Sequence, residues 1–116
     1  FFKAKRKFDN MEKLGIDKET SSDYFENLYE SVKMLIQSFM ELDGYHPYSH
    51  KAIVAYSIDI LGLEDAVVNR LNRFRKMRND MIYRGDIATE NEARDIKELF
   101  IELWGRFEQN FEERIS

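Results

Sequence analysis

Apolar residues recur at steps of three and four along almost the whole chain, and this spacing is typical of α-helices. One long series comprises Tyr24, Phe25, Leu28, Val32, Leu35, Ile36, Phe39 and Met40. A second comprises Ala93, Ile96, Leu99, Phe100, Leu103, Trp104, Phe107 and Phe111. Most apolar stripes of this kind form a protein core, which is the main prediction for both. In a chain this short, the alternative is that part of either stripe faces a partner subunit.

Polar residues and glycines mark the ends of these two helices. Thr20 with Asp23 precedes the first series, and Thr89 with Glu92 precedes the second, so we predict a capping box at each start. The segment 44–47 contains a glycine and a proline and predicts the end of the first long helix.

Three shorter helical segments complete the pattern, at about 2–14, 50–61 and 64–83, and each is followed by a glycine: Gly15, Gly62 and Gly85. No window shows the alternation of a strand bounded by turn residues. The sequence therefore predicts an all-α fold, a single-domain antiparallel bundle of about five helices over residues 1–116. Because the chain begins at Phe1 instead of methionine, we also expect a truncated N-terminus.

Composition excludes several classes of function. The chain has no cysteine, which rules out a disulfide scaffold, a thiolate metal site and a cysteine nucleophile. No apolar run approaches the roughly 20 residues that cross a bilayer, and no signal-peptide pattern is present, so we expect a cytoplasmic location. Glycine-rich phosphate loops and cofactor fingerprints are also absent, and no cofactor is expected.

The charges are unevenly distributed along a chain whose net charge is −4. Within residues 70–84 there are six basic residues and one acidic residue, whereas residues 86–116 contain nine acidic and four basic residues. The basic set, which we call the arginine stripe, is Arg70, Arg73, Arg75, Lys76, Arg78 and Arg84. Two interpretations are open: the stripe pairs with the acidic last helix, or it faces phosphate, which guanidinium groups bind in a bidentate way.

Arg78 interrupts the apolar face of its helix, four residues after Phe74 and three before Met81. A guanidinium at this position is partly desolvated and needs an anionic or carbonyl partner. Asn79 lies one turn before Tyr83, so its amide and the phenol are expected to share a face suited to a phosphodiester. The predicted phosphate-binding residues are Arg75, Lys76, Arg78, Asn79 and Arg84. The alternative is a buried arginine that ties the helix end to a neighbouring loop.

Over residues of about 20–111 the chain resembles the HEPN domains (higher eukaryotes and prokaryotes nucleotide-binding). The resemblance includes the segments Leu-Asp-Gly-Tyr at 42–45, Pro-Tyr-Ser-His-Lys at 47–51, Leu-Asn-Arg-Phe-Arg-Lys-Met-Arg-Asn at 71–79 and Thr-Glu-Asn-Glu-Ala-Arg at 89–94. The family signature is an arginine, often followed by asparagine, then four to six residues and a histidine. Arg78-Asn79 matches its beginning, and Tyr83 stands where the histidine is expected.

The resemblance implies a homodimer that binds RNA or a nucleotide. Active members are metal-independent ribonucleases, often toxins paired with a minimal nucleotidyltransferase, so Arg78 and Tyr83 become the candidate catalytic residues. In such an enzyme the arginine stabilises charge on phosphate and the histidine moves protons. A tyrosine phenol, with an ordinary pKa of about 10, is a poor general base at neutral pH. The resemblance therefore favours binding over cleavage in this chain.

The two histidines, His46 and His50, are four residues apart across a proline. A zinc site needs a third ligand, which the sequence does not offer, and no metal site is expected. His50 is expected to face neighbouring aromatic residues at a helix start; alternatively, one histidine supplies a base from elsewhere in a dimer. Two further alternatives remain open for the whole chain: a non-catalytic interaction module in which Arg78, Asn79 and Tyr83 hold a dimer or a partner, and a plain structural bundle.

Overall fold

A computed structural model of the chain describes residues 1–46 and 48–116. Within them lie five helices and no strand: α1 (Phe2–Leu14), α2 (Ser21–Leu42), α3 (His50–Asp59), α4 (Asp65–Arg84) and α5 (Glu90–Ile115). The all-α helical bundle expected from the sequence is confirmed. The radius of gyration, 14.0 Å, is close to the roughly 13 Å expected for a compact domain of this length. Pro47, expected to help end α2, lies outside the described residues.

The capping box predicted at the start of α5 is confirmed. The Thr89 hydroxyl accepts a hydrogen bond from the Glu92 backbone N–H at 3.1 Å, and the Thr89 N–H donates to the Glu92 carboxylate at 2.9 Å. At the other end of the preceding loop, α4 stops at Gly85, whose φ of +71° is a left-handed conformation that favours glycine.

The capping box predicted at Thr20 is wrong. The Thr20 side chain accepts no hydrogen bond from the first turn of α2. Its hydroxyl instead donates to the Gly15 carbonyl at 2.9 Å and accepts from the Asp17 N–H at 3.0 Å. The hydroxyl is therefore used to close the loop between α1 and α2.

Both long apolar stripes form the core, as their main interpretation predicts. α2 packs most extensively against α5 and α1, and less so against α3 and α4. The stripe side chains with no exposed surface include Tyr24, Phe25, Leu28, Val32, Leu35 and Ile36 of α2 and Ile96, Leu99 and Leu103 of α5. Trp104 is the exception on α5: it is half-buried, and the ring of Phe1 stacks on it at a centroid distance of 4.8 Å.

α4 is held by buried apolar side chains and by ion pairs. The buried side chains are Val67, Val68, Leu71 and Phe74. Phe74 is 1% exposed and its ring meets that of Phe25 on α2 edge-on, with centroids 5.7 Å apart. Towards α5, Arg70 forms an ion pair with Glu102 at 3.0 Å. A second, looser ion pair, at 3.9 Å, lies further along the two helices. Such exposed pairs each contribute at most about 1 kcal/mol, so the apolar contact dominates.

Among residues 1–46 and 48–116, no helix combines the length and apolarity that crossing a bilayer requires.

Candidate functional site

The arginine stripe divides between two faces of α4. Arg70 and Arg73 point to α5, where they pair with Glu102 and Asp95. Arg75 and Arg78, also three residues apart, line a cavity on another side of α4. Pairing with the acidic last helix therefore uses only part of the stripe, and two guanidinium groups are directed elsewhere.

The cavity has a volume of about 210 Å³ and lies among α2, α3, α4 and the residues just before α3. We call it the cleft. Its apolar lining consists of Ile36, Ile53, Val54 and Leu71. Its polar lining consists of Tyr29, Lys33, Tyr48, His50, Arg75, Arg78 and Asn79. None of the described residues that line it is acidic, so the cleft presents cations and hydrogen-bond donors above an apolar floor.

Arg78 is half-buried, as its place on the apolar face predicts, and its side chain is 28% exposed. Its Nη2 lies 3.1 Å from a carboxylate oxygen of Glu30, and its guanidinium carbon lies 5.7 Å from the centre of the Tyr29 ring. The Nε atom is buried and has no hydrogen-bond partner among the described residues. Both contacts are with α2, so Arg78 ties α4 to a neighbouring helix, where the alternative expected a loop.

Arg75 differs from Arg78 in that it is exposed and forms no ion pair within the described part of the chain. Lys33 faces the cleft from α2, with its ammonium 3.8 Å from Glu30. The cleft therefore combines one free guanidinium, one guanidinium shared with a carboxylate, and an ammonium group.

His50 enters the cleft from the first turn of α3, which Ser49 caps by accepting a hydrogen bond from the Ala52 N–H at 3.1 Å. Its Nε2 lies 2.8 Å from the Asn72 amide oxygen, which joins α3 to α4. Since an amide oxygen only accepts, Nε2 carries the hydrogen in this arrangement and Nδ1 is left as an acceptor. The aromatic contact expected for His50 is made instead by His46, whose ring centroid lies 4.7 Å from that of Tyr48.

The pKa of His50 is expected to lie below its ordinary value of 6.5, chiefly because burial disfavours the charged ring. The hydrogen bond to Asn72 opposes this shift, so Asn72→Ala should lower the pKa further. The unfolded chain, in which the histidine has its ordinary pKa, binds the proton more readily than the folded chain. This histidine's contribution to stability is therefore present above pH 6.5 and is lost as the pH falls towards the folded-state pKa. Titration of the imidazole carbon-bound protons by NMR measures both values. A pKa at or above 6.5, or no change in Asn72→Ala, would contradict the described surroundings of His50.

Three of the predicted site residues do not line the cleft. Lys76 is exposed on the outer side of α4, because each helical residue turns about 100° from the one before it. Tyr83 is 83% exposed, and Arg84 is also exposed, 3.9 Å from Asp80. Asn79 lines the cleft, whereas Tyr83 does not. The amide and the phenol, which were expected to share a face beside Arg78, are therefore not brought together at the cleft within one chain. The physical reason is that the last turn of α4 leaves its side chains in solvent.

Two α2 residues that complete the cleft, Tyr29 and Lys33, were not predicted as site residues. They flank the apolar stripe of α2 at a spacing of four, which by itself is typical of any half-buried helix edge. Only the packing of α2 against α4 shows that they share a cavity with Arg78.

The residues of the cleft are suited to holding an anion directly. Guanidinium and ammonium groups form charge-assisted hydrogen bonds with phosphate or carboxylate oxygens. Within residues 1–46 and 48–116, no group of three or more histidine or acidic side chains is placed to hold a metal ion.

No protein-family model, curated protein or solved structure matches the chain. Its function is therefore inferred from the chemistry of the cleft, together with the motif resemblance described above.

Proposed function

We propose that the chain binds RNA or a nucleotide through phosphate, in the cleft among α2, α3 and α4. The observation that carries this proposal is the convergence of three permanent cations, Lys33, Arg75 and Arg78, on one cavity without an acidic residue in its described lining. The Glu30 carboxylate, 3.1 Å from Arg78 and 3.8 Å from Lys33, offsets one of these charges, and the remaining positive charge attracts a further anion. Phosphate fits the donor geometry of guanidinium. The Asn79 amide adds a neutral hydrogen-bond donor in the same cavity.

Aromatic side chains in the cleft favour a nucleotide over a simple carboxylate ligand. Tyr48 lines it and is half-buried, and aromatic rings are the usual stacking surfaces for bases. Tyr29 is only 6% exposed, and burial raises the pKa of its phenol, which therefore stays protonated. The cationic groups suit a phosphate, and the Tyr48 ring suits a base that lies beside it.

The resemblance to HEPN domains extends the proposal to the protein's setting. It supports a cytoplasmic homodimer that acts with a nucleotidyltransferase partner. Exposed apolar side chains at the end of α4 and in the loop that follows it, Ile82, Tyr83 and Ile87, offer a surface for such contacts. The same observation favours a second candidate, a protein-interaction module with no role in nucleic-acid binding.

Binding is proposed as the main activity, and RNA cleavage as weak or absent. Tyr83 replaces the histidine of the family signature and stands in solvent, outside the cleft that contains Arg78. A phenol in that position neither accepts a proton readily at neutral pH nor reaches a phosphate held by Arg78 in the same chain.

Arg75→Ala tests the proposal, because this guanidinium lines the cleft and is not engaged in an ion pair within the described residues. We expect the affinity for a fluorescein-labelled oligoribonucleotide to fall about tenfold, the loss of one charge-assisted hydrogen bond. The slope of log affinity against log salt should also become shallower by about 0.7, the value for one phosphate contact on a single strand. Fluorescence polarisation at several salt concentrations measures both.

Arg73→Ala is the matched control, since Arg73 lies on the same helix but faces Asp95 of α5 at 3.9 Å. It should leave affinity and salt slope nearly unchanged. Equal losses in both variants would mean that general basic charge attracts the RNA, and absence of binding by the wild-type chain at low salt would refute the proposal. Self-association that persists at high salt, without RNA binding, would favour the interaction module.

A further inference from the structure

We infer that the cleft receives a terminal phosphate group, as in a free nucleotide or at a phosphorylated RNA end, in preference to an internal phosphodiester of an RNA chain. This inference rests on the proposed function and specifies its ligand. It follows from the charge of the cleft, from its closed floor and from the donors of Arg78.

The charge of the cleft fits a dianion. Lys33, Arg75 and Arg78 bring three positive charges, and Glu30, 3.1 Å from Arg78 and 3.8 Å from Lys33, removes one. Burial keeps His50 neutral at pH 7, so it adds no further charge. The remaining two positive charges match a phosphomonoester, which carries about −1.5 to −2 at neutral pH. An internal phosphodiester carries only one negative charge and would leave part of this positive charge without a partner.

The shape of the cleft also favours the end of a molecule. Its floor is made by Ile36, Ile53 and Leu71, which are 0%, 6% and 7% exposed. A backbone that continues in both directions has to enter and leave, whereas sites that follow single strands are open grooves. A cavity of about 210 Å³ with a closed apolar floor accommodates one terminal group and leaves the rest of the ligand outside.

Arg78 supplies donors that a terminal phosphate is able to satisfy. The guanidinium has five N–H groups, and Glu30 engages one nitrogen, Nη2. The Nε atom is buried and has no partner among the described residues, so the donors that a ligand reaches are those at the exposed end of the guanidinium. A phosphomonoester presents three terminal oxygens, and an internal diester only two, so the monoester uses the available donors of Arg75 and Arg78 more fully.

The test compares short oligoribonucleotides of one sequence that carry a 5′-phosphate, a 3′-phosphate or only hydroxyl ends, together with free 5′-AMP and 3′-AMP as competitors. We expect at least one phosphorylated RNA to bind at least about tenfold more tightly than the hydroxyl-ended RNA. Arg75→Ala should remove this preference, and Arg73→Ala should keep it.

The competitors distinguish the sources of the terminal phosphate. Displacement of the phosphorylated RNA by an AMP at a similar concentration would identify a free nucleotide as a sufficient ligand. Much weaker displacement would identify the RNA end. Equal binding of all the RNAs, with loss in Arg75→Ala, would overturn this inference and leave the proposed function standing. Failure of every RNA and nucleotide to bind would overturn both.

Discussion

Replacing Phe74 with alanine is expected to lower the free energy of unfolding by about 3–5 kcal/mol, the usual cost of removing a buried phenyl group. Phe74 is 1% exposed, the least of the four buried side chains of α4, and its ring meets that of Phe25 on α2 edge-on. Urea denaturation followed by far-ultraviolet circular dichroism measures the change. Trp104 fluorescence gives a second signal, because this residue is half-buried on α5, away from the site of substitution.

Ile82→Ala is the matched control on the same helix. Its side chain is 48% exposed, so the change in free energy of unfolding should stay within about 0.5 kcal/mol. If the free energy of unfolding fell by a similar amount in the two variants, or only slightly in Phe74→Ala, α4 would not be held through Phe74.

Replacing Arg78 with methionine is expected to weaken RNA or nucleotide binding by at least about 100-fold, the loss of two charge-assisted hydrogen bonds. Methionine retains the apolar stem that packs in the half-buried position, so the fold should survive the change. Glu30 keeps the Lys33 ammonium at 3.8 Å as a neighbour and is not left as an isolated charge. Fluorescence polarisation with labelled RNA measures binding, and circular dichroism checks the fold.

Arg84→Met separates the cleft from the exposed end of α4. The Arg84 side chain is 74% exposed and lies outside the cleft lining, so binding should change by less than about twofold. A loss as large as that of Arg78→Met would place the binding surface at the last turn of α4, beside Tyr83. Full binding by Arg78→Met would remove Arg78 from the site altogether.

The helices were largely predictable because their signals are local. Apolar residues three and four apart must lie on one side of a helix, and the Thr89 hydroxyl reaches an N–H only three residues away. Thr20 shows where this reasoning fails. Its hydroxyl has competing partners in the loop before α2, and the capping pattern did not predict its hydrogen bond to the Gly15 carbonyl.

Only the residues of the candidate site that lie on α4 were predictable from the sequence. Arg75, Arg78 and Asn79 were identified because helical spacing places them near one face, and the position of Arg78 among apolar residues indicated partial burial. Lys33 and His50 join them through packing between helices, and each lies more than 20 positions from Arg75 in the sequence. No local pattern specifies which helices meet or where the last turn of α4 projects into solvent, so the exposure of Tyr83 was also unforeseen.

The two sides of α2 have a consequence for how this chain is able to evolve. Tyr29 and Lys33 face the cleft, whereas Phe39 packs on Phe107 of α5, with ring centroids 5.4 Å apart. Of the three α2 residues that line the cleft, Ile36 and Tyr29 are also buried in the core, at 0% and 6% exposed, and only Lys33 is not part of it. Substitutions at 33 are therefore expected to alter the cleft at little cost to folding, whereas positions 29 and 36 tie the lining of the cleft to the stability of the fold.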